Sequence, residues 1–389
     1  MTKKRSSEYI YITSQNSLVE YCKKVKKSSF ICLDTEFIRE STYYPKLCLI
    51  QCLDEKGHLA VIDPLPENLC LDPFKEILFD KDITKIFHAC RQDLEIFYNL
   101  YGQVPAPIFD TQVSAMVCGY GDCAGYETLV RTMLGKRLDK SSRFSDWAQR
   151  PLSEKQIKYA LSDVIHLKEI YAKLSKDVKQ RCSWIKEEMA TLTDIGTYKI
   201  DIESVWQKIK VRQPAPNQFM YVIQEIAKWR EKKAIKQDIP RQFVIRDDVI
   251  AKVATLSLEQ IDYIDQVNVN HKVKDDFVKF AKKTLKDSYQ PDAKAIKVDI
   301  PKPIKFSKDC LEMMKLLLKV KANQNKVAER LIATSDDLKM LCAGKKDIPI
   351  FRGWRKEVFG NDALKILKGE FGLQINRRKI EVTEVKKAP

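Results

Sequence analysis

The sequence predicts an α/β domain, built on a mixed sheet flanked by helices, followed by two small all-α domains. Strand-like and helix-like segments alternate over residues 1–200, and the strand signal disappears after that point. Such alternation is typical of a sheet covered by helices, whereas a run of short amphipathic helices builds small bundles. We expect domains at 1–200, 213–290 and 307–376, with a basic tail at 377–389.

Four segments of the first domain predict strands because they are rich in Ile, Leu, Cys and Phe and are separated by turn residues. They are FICLDTEF, LCLIQCLD, HLAVIDP and ITKIFHA. The first three follow one another closely, which predicts a meander. Between and after them, apolar residues recur at helical spacing in SLVEYCKKVKK, FKEILFD, DLEIFYNLYG, TQVSAMVCGY and SEKQIKYALSDVIHLKEIYAKLSKDV. Ser153 and Gln156 predict a capping box at the start of the last of these helices.

The second half of the chain indicates helices only. A stripe of apolar residues that ends at Trp229 predicts an amphipathic helix, with Trp229 in the core rather than on a base-stacking surface. Proline residues spaced among lysines in SYQPDAKAIKVDIPKPIKFSKD predict a linker. We expect the last segment, RRKIEVTEVKKAP, to be frayed.

The positive charge of the chain is concentrated in its second half. The net charge is +16; residues 1–200 hold 29 Lys and Arg against 27 Asp and Glu, which leaves 40 against 26 for residues 201–389. Such an excess indicates a polyanionic partner, most simply nucleic acid, and its alternative is solubility alone. The sequence shows neither a membrane span nor a signal peptide, so we expect a cytoplasmic protein with reduced cysteines.

Two carboxylates interrupt the first predicted core strand. Asp34 and Glu36 are two residues apart, so they share one face of the strand about 6–7 Å from each other. Buried carboxylates on one face repel unless a cation compensates them, which indicates a Mg²⁺ or Mn²⁺ site. The alternative is an edge strand on which both groups are solvated.

Further acidic residues occupy similarly unusual places. Asp93 lies in the first turn of a predicted helix, where it could also serve only as a partner of the helix dipole. His88 precedes it at a strand end and could be purely structural. Tyr159 and Asp163 are four residues apart in the longest helix and therefore share a face, with Asp163 among apolar neighbours. Four carboxylates and a tyrosine in one domain fit a site for two divalent cations that hydrolyses a phosphodiester.

These motifs resemble those of the DEDD superfamily of 3′–5′ exonucleases, in its Tyr-containing branch. The Asp-x-Glu of LDTEF, the Asp of FHACRQDLEIF and the Tyr-x-x-x-Asp of YALSDV occur in the family's order. The sequence around these motifs is similar to that of ribonuclease D, including the segments LDTEFIRESTYYPKLCLIQ and DWAQRPLSEKQIKYALSDVIHL. Residues 213–290 resemble an HRDC domain, and residues 307–376 resemble a second, more divergent one.

The resemblance implies a ribonuclease H-like fold and two bound divalent cations, Mg²⁺ or Mn²⁺. It implies that Asp34, Glu36, Asp93 and Asp163 bind these metals and that Tyr159 orients the hydrolytic water. It also implies an enzyme that removes 5′-mononucleotides from RNA 3′ ends, chiefly those of transfer RNA precursors and other small structured RNAs. Neither a membrane nor an obligate protein partner is implied.

Contacts to RNA are expected from basic and aromatic residues. Lys228 and Arg230 lie in the first helical domain, and Arg39 and Tyr44 follow the first acidic motif directly. The alternative for Tyr44, as for the neighbouring Tyr43, is a packing role without contact to RNA. We also expect His88 to hold the terminal nucleotide of the substrate. Two other functions stay open from the residues alone: a DNA exonuclease, because the same metal site serves such enzymes, and a nucleic-acid-binding module without turnover.

Overall fold

The structure, a computed structural model, describes residues 9–138, 145–211, 215–290 and 305–385, and these form two compact units. The first unit is drawn from the ranges 1–36, 48–197 and 303–389, and the second from 37–47 and 198–302. The C-terminal helical block therefore belongs to the same unit as the α/β domain. The segment that follows the first acidic motif instead belongs to the unit of the first helical domain.

A mixed sheet lies at the centre of the first unit. Its strands are β1 (Ile10–Ile12), β2 (Phe30–Ile38), β3 (Lys46–Asp54), β4 (Leu59–Ile62), β5 (Thr84–Phe87) and β6 (Ile108–Asp110). Their order is β1-β4-β3-β2-β5-β6. The pairs β1–β4, β2–β5 and β5–β6 are parallel, and β3–β4 is antiparallel. The predicted mixed sheet is confirmed, with the three early strands as neighbours.

Helices cover this sheet, which explains why its central strands are apolar on both faces. Every residue of β3 after Lys46 is buried, and so is every residue of β4. The helices are α1 (Gln15–Val25), α2 (Asp72–Phe79), α3 (Arg91–Tyr101), α4 (Thr111–Val117), α5 (Tyr126–Leu134), α6 (Glu154–Asp177) and α7 (Cys182–Leu192). The predicted capping box of Ser153 and Gln156 opens α6. It fixes the start of the helix that bears Tyr159 and Asp163.

The second unit is helical. Its helices are α8 (Asn217–Gln237), α9 (Arg241–Val244), α10 (Asp247–Ala254) and α11 (Lys274–Asp287). Trp229 on α8 is 8% exposed, and its ring lies 5.3 Å from that of Phe277 on α11, which confirms it as a core residue. In the same unit, the buried Tyr43 donates its hydroxyl hydrogen to Glu231 on α8 at 2.5 Å. The Asp238 carboxylate accepts from the backbone N–H groups of Tyr43 and Tyr44 at 3.0 Å each.

The C-terminal block also consists mainly of helices. They are α12 (Lys308–Asn325), α13 (Glu329–Ile332), α14 (Ser335–Cys342), α15 (Gly353–Arg355), a π-helical turn (Lys356–Gly360) and α16 (Asn361–Leu367). Trp354 stacks on Trp184 of α7 with ring centroids 4.5 Å apart and donates Nε1–H to Glu188 at 3.0 Å. Arg181 donates to the Asn325 carbonyl at the end of α12 at 2.5 Å. These contacts join the block to the α/β domain within one unit.

The end of the chain differs from the sequence prediction. Residues 377–385 were expected to be a frayed basic tail, but β7 (Phe371–Asn376) and β8 (Lys379–Glu384) form an antiparallel hairpin. The hairpin is stable at its base because Phe371, Leu373 and Val382 pack against the core of the C-terminal block. The predicted linker falls largely at 291–304, outside the described residues. No helix in the described ranges is long and apolar enough to cross a membrane.

Candidate active site

Three carboxylates meet beside the sheet. Asp34 and Glu36 project from β2, and Asp163 projects from α6. One carboxylate oxygen from each lies within 4.8 Å of the others. Side chains alternate between the two faces of β2, so Asp34 and Glu36 point to the same side. There they meet Asp163 of α6, which is more than 120 positions away in the sequence. Oxygen ligands at this spacing suit a divalent cation.

Asp93 supports this cluster from the start of α3. Its side chain is buried, 7% exposed, and accepts a hydrogen bond from the Thr35 hydroxyl at 2.5 Å. Thr35 lies between Asp34 and Glu36 on β2. Its hydrogen bond to Asp93 therefore connects the start of α3 to the middle of the Asp34–Glu36 motif. Asp93 is not among the three residues whose oxygens converge, although its charge helps to raise the pKa of Glu36 and the charge of Asp34 helps to raise its own pKa.

Burial and mutual repulsion make ionisation of these groups unfavourable. Burial, followed by the charge of Asp163, raises the pKa of Asp34 well above its usual value. Burial and the neighbouring Asp34, Asp163 and Asp93 raise the pKa of Glu36 to about 10. Burial raises the pKa of Asp163 to about 7, and burial with the charge of Asp34 raises the pKa of Asp93. An added cation would reverse each of these shifts.

The described residues supply no such cation from the protein itself. Within the described ranges, none of the four carboxylates forms an ion pair with Lys, Arg or His. Elsewhere in the same unit a buried acid is neutralised in the ordinary way: Asp63 is held by Arg150 at 2.5 Å, which lowers the pKa of Asp63. The acidic cluster therefore fits a divalent metal, and Asp34, Glu36 and Asp163 are the residues placed to hold it.

Tyr159 lies one turn before Asp163 on the same face of α6, as predicted. It is half-buried, and its ring lies 6.0 Å from that of Trp147. A tyrosine hydroxyl can donate a hydrogen bond to a water or accept one from it. Its role in orienting water stays a prediction.

His88 and Tyr126 form a second pair in the α/β domain. The His88 Nδ1 lies 3.0 Å from Thr111 Oγ1, and Thr111 donates its own hydroxyl hydrogen to the Phe87 carbonyl. We therefore assign the hydrogen of His88 to Nδ1, which leaves Nε2 as an acceptor. Burial lowers the pKa of His88 to about 4, so the ring is neutral at physiological pH. Its predicted contact with a nucleotide stays a prediction.

Tyr126 was not predicted from the sequence. Its ring lies 5.4 Å from that of His88, and its hydroxyl donates to the Ser162 carbonyl at 3.0 Å. Burial, together with the charges of Asp163 and Asp34, raises the pKa of Tyr126 well above its usual value. This coupling places Tyr126 close to the acidic cluster. A short helical pattern after Gly125 precedes no acidic motif, so it gave no sign of a functional residue.

The four other residues predicted to contact RNA lie in the second unit. Arg39 is exposed, and Tyr44 is partly exposed with its ring against Tyr43 at 4.9 Å. Lys228 forms ion pairs with Glu203 at 2.5 Å and Glu225 at 3.1 Å, which neutralise its charge locally. These three assignments stay predictions.

The prediction for Arg230 is wrong. This residue is 1% exposed and donates to the Asp247 carboxylate at 2.6 Å and to the Ile245 carbonyl at 3.0 Å. A guanidinium that is buried and bound in this way links α8 to the start of α10 and is not available to RNA.

Comparisons with known proteins show the family and the fold. A family model described as 3′–5′ exonuclease matches residues 9–179, and one described as HRDC domain matches residues 220–274. Ribonuclease D of Bartonella henselae is 38% identical over 96% of this chain and 94% of its own length. Ribonuclease D of Acidiphilium cryptum is 37% identical over 97% of this chain and 98% of its own length.

A solved structure gives the same result. The crystal structure of Escherichia coli RNase D, described as an exoribonuclease involved in structured RNA processing, matches with a TM-score of 0.77 and 30% identity. The match covers 93% of this chain and 99% of that one. The likeness therefore extends over the exonuclease and the helical regions together. From its sequence, fold and acidic cluster, the chain belongs to the ribonuclease D family of 3′–5′ exonucleases, hydrolases that depend on divalent metal.

Proposed function

We propose that this exonuclease trims the 3′ ends of transfer RNA precursors and other small structured RNAs by two-metal-ion hydrolysis, releasing 5′-mononucleotides. The observation that carries the proposal is the convergence of the Asp34, Glu36 and Asp163 carboxylates within 4.8 Å, at raised pKa and without an ion-pair partner among the described residues. Two divalent cations, Mg²⁺ or Mn²⁺, supply charge stabilisation for an in-line phosphoryl displacement when bound.

The four carboxylates have different roles according to their positions. Asp34, which converges with Glu36 and Asp163 and whose charge raises the pKa of Asp93, would be a ligand of the divalent cations. Glu36 and Asp163 would hold the cations together with Asp34. Asp93, which accepts a hydrogen bond from Thr35 and is not one of the three converging carboxylates, would act on the cations through a water.

Tyr159 orients the attacking water. Its place one turn from Asp163 allows its hydroxyl to hold a water whose oxygen faces the scissile phosphate. A water that is already held in position loses less entropy on reaching the transition state, which lowers the activation free energy. The neutral His88 is suited to accept, at Nε2, a hydrogen bond that a hydroxyl group of the terminal ribose donates.

RNA as the substrate is supported by charge and by relatives. The excess of basic residues lies in the second half of the chain, where a family model for HRDC domains matches. The Escherichia coli relative is described as acting in structured RNA processing. A transfer RNA precursor with a 3′ trailer combines a structured body with a single-stranded end, and it is therefore the substrate class we propose.

The test uses a transfer RNA precursor with a short 3′ trailer, the mature transfer RNA, and a DNA strand of the trailer sequence. Each is incubated with Mg²⁺, with Mn²⁺ or with a chelator, and the products are separated by length and by terminal phosphate. We expect stepwise shortening of the trailer to 5′-mononucleotides with either metal. Faster digestion of the DNA, or 3′-phosphorylated products, would contradict the proposal.

A further inference from the structure

The C-terminal hairpin ends in a turn of unusual sequence. Asn376 of β7 pairs with Lys379 of β8, so the loop between the strands consists of Arg377 and Arg378 alone. Both have a positive φ, 46° at Arg377 and 66° at Arg378. A two-residue hairpin loop with positive φ at both positions is a type I′ turn, for which Asn-Gly is the preferred sequence.

Arginine is a poor choice for such a turn. In the left-handed region the Cβ atom of a residue crowds the following carbonyl oxygen, which costs roughly 1–2 kcal/mol per residue, and glycine, which has no Cβ, avoids this cost. Arg377 and Arg378 therefore do not stabilise the loop that they form. Residues held in unfavourable backbone conformations often lie at functional sites, so an outlier of this kind is a reason to look for a function.

The surroundings of the turn point to a function outside the fold. We call residues 375–379 the tip. Its residues are exposed, and Ile375 is 75% exposed although its strand packs at the base through Phe371 and Leu373. Strands of six residues extend about 20 Å, so the tip stands away from that packed base.

The charges of the tip have no partners among the described residues. Arg377, Arg378 and Lys379 take part in no ion pair or side-chain hydrogen bond within the described ranges. The nearby Glu381 instead accepts a hydrogen bond from the Asn376 side chain at 3.1 Å. By contrast, Lys228 in the second unit is neutralised by two glutamates. Judged against the described ranges alone, the tip thus presents three cations without a partner beside the exposed side chain of Ile375.

We propose that the tip is an RNA-binding element that contacts the phosphate backbone of the substrate away from the catalytic carboxylates, with Ile375 against a base or sugar. Two guanidiniums and an ammonium complement successive phosphates, and arginine binds phosphate with two parallel hydrogen bonds. This inference rests on the proposed RNA substrate and adds to it a specific contact surface. An acidic protein or an anionic membrane surface is the competing partner for such a tip.

The experiment replaces the loop by the sequence that the turn prefers. The double variant Arg377→Asn, Arg378→Gly removes two charges while favouring the observed backbone. The matched control, Lys345→Asn with Lys346→Gly, removes two adjacent charges from an exposed loop of the same C-terminal block. A third variant, Arg377→Lys with Arg378→Lys, keeps the charge and loses the guanidinium geometry.

Affinity is measured by fluorescence anisotropy with the trailer-bearing RNA in chelator, across a series of salt concentrations. We expect the Asn-Gly variant to keep or raise its Tm and to bind RNA on the order of tenfold more weakly at 0.1 M salt. The slope of log K against log salt should fall by about 1.4, because each lost contact to single-stranded RNA removes about 0.7. The control should lose much less, and the Lys-Lys variant should retain most of the slope.

Three outcomes would overturn the proposal: unchanged RNA affinity of the Asn-Gly variant, an equal loss in the control, or a loss confined to binding of phosphatidylserine vesicles. Hydrolysis of a dinucleotide separates this proposal from the proposed function. The tip variant should cleave the dinucleotide like the wild type, since the tip lies outside the carboxylate cluster. If the wild type does not degrade RNA at all, the proposed function fails by that result alone.

Discussion

Replacing Asp163 by Asn tests the acidic cluster through stability as well as activity. The change is nearly isosteric and removes one of the three converging charges. In the folded protein burial raises the pKa of Asp163 to about 7, against about 3.9 for an aspartate in an unfolded chain. The folded state therefore binds the proton more tightly than the unfolded state does.

The sign of the pH dependence follows from this shift. Below about pH 4 the carboxyl is protonated in both states and costs nothing. As the pH rises from about 4 to about 7, the unfolded state loses its proton first, so the free energy of unfolding of the metal-free protein falls. A difference of three pH units corresponds to about 4 kcal/mol, and the partial exposure of Asp163 reduces it to about 2 kcal/mol.

We expect the metal-free Asp163→Asn variant to be more stable than the wild type at pH 8 and nearly equal to it at pH 4. A gain of about 2 kcal/mol corresponds to a rise in Tm of about 2–5 °C for a protein of this size. The repulsion that raises the pKa of Asp34 and Glu36 should also decrease. Addition of Mn²⁺ should raise the Tm of the wild type strongly and that of the variant little, and RNA hydrolysis should be lost.

The assay is thermal unfolding followed by circular dichroism, in chelator and in excess Mn²⁺, at several pH values. Asp177→Asn is the matched control, because Asp177 ends the same helix, is exposed, and accepts a hydrogen bond from the Tyr120 hydroxyl. It should change the Tm by little and keep the response to Mn²⁺. A metal-free Asp163→Asn variant that is less stable at pH 8, or that responds fully to Mn²⁺, would refute the assignment.

Three further substitutions test other parts of the structure. Tyr159→Phe should lower kcat for a short RNA by about 10²–10⁴-fold while the Mn²⁺-induced rise in Tm persists; loss of that rise would make the tyrosine structural. Tyr43→Phe removes the hydroxyl that donates to buried Glu231 and should destabilise the second unit by about 1.5–3 kcal/mol in urea unfolding. Tyr263→Phe, at an exposed tyrosine of that unit, is its control and should have little effect. Trp354→Phe removes the donor to Glu188 and should destabilise the first unit by about 1–3 kcal/mol, which thermal unfolding would detect; an unchanged Tm would show that the bond contributes nothing.

The parts of the site that were predictable depend on short-range geometry. The two-residue period of β2 placed Asp34 and Glu36 on one face, and the capping box at Ser153 fixed the helix that presents Asp163. Tyr126 was missed because its relation to the cluster comes from the packing of α5 against α6. The three-residue strands β1 and β6 are too short for any periodicity to be read from the sequence.

Charged residues were the least predictable. Arg230 carries a full charge and was assigned to RNA, but it is buried, and Asp247, seventeen residues later, accepts a hydrogen bond from it. The Arg377-Arg378 loop lacks the Asn-Gly signal of a hairpin, so a well-formed turn was taken for a frayed tail. In both cases the charge of the residue predicts a solvated, loosely ordered position. The structure differs because Arg230 has a tertiary partner and because the backbone of Arg377 and Arg378 forms an ordered turn.

The acidic cluster and the tip share a property that makes both testable in the same way. At each place the chain holds residues that weaken the fold: repelling carboxylates in a buried site, and arginines where glycine and asparagine fit better. A substitution that relieves the unfavourable feature should therefore stabilise the protein and lower its function together. Loss of activity or of RNA binding by a more stable variant cannot result from unfolding. A rise in Tm that accompanies loss of function would thus show that the residue acts in function. A fall in Tm would show that its role is structural.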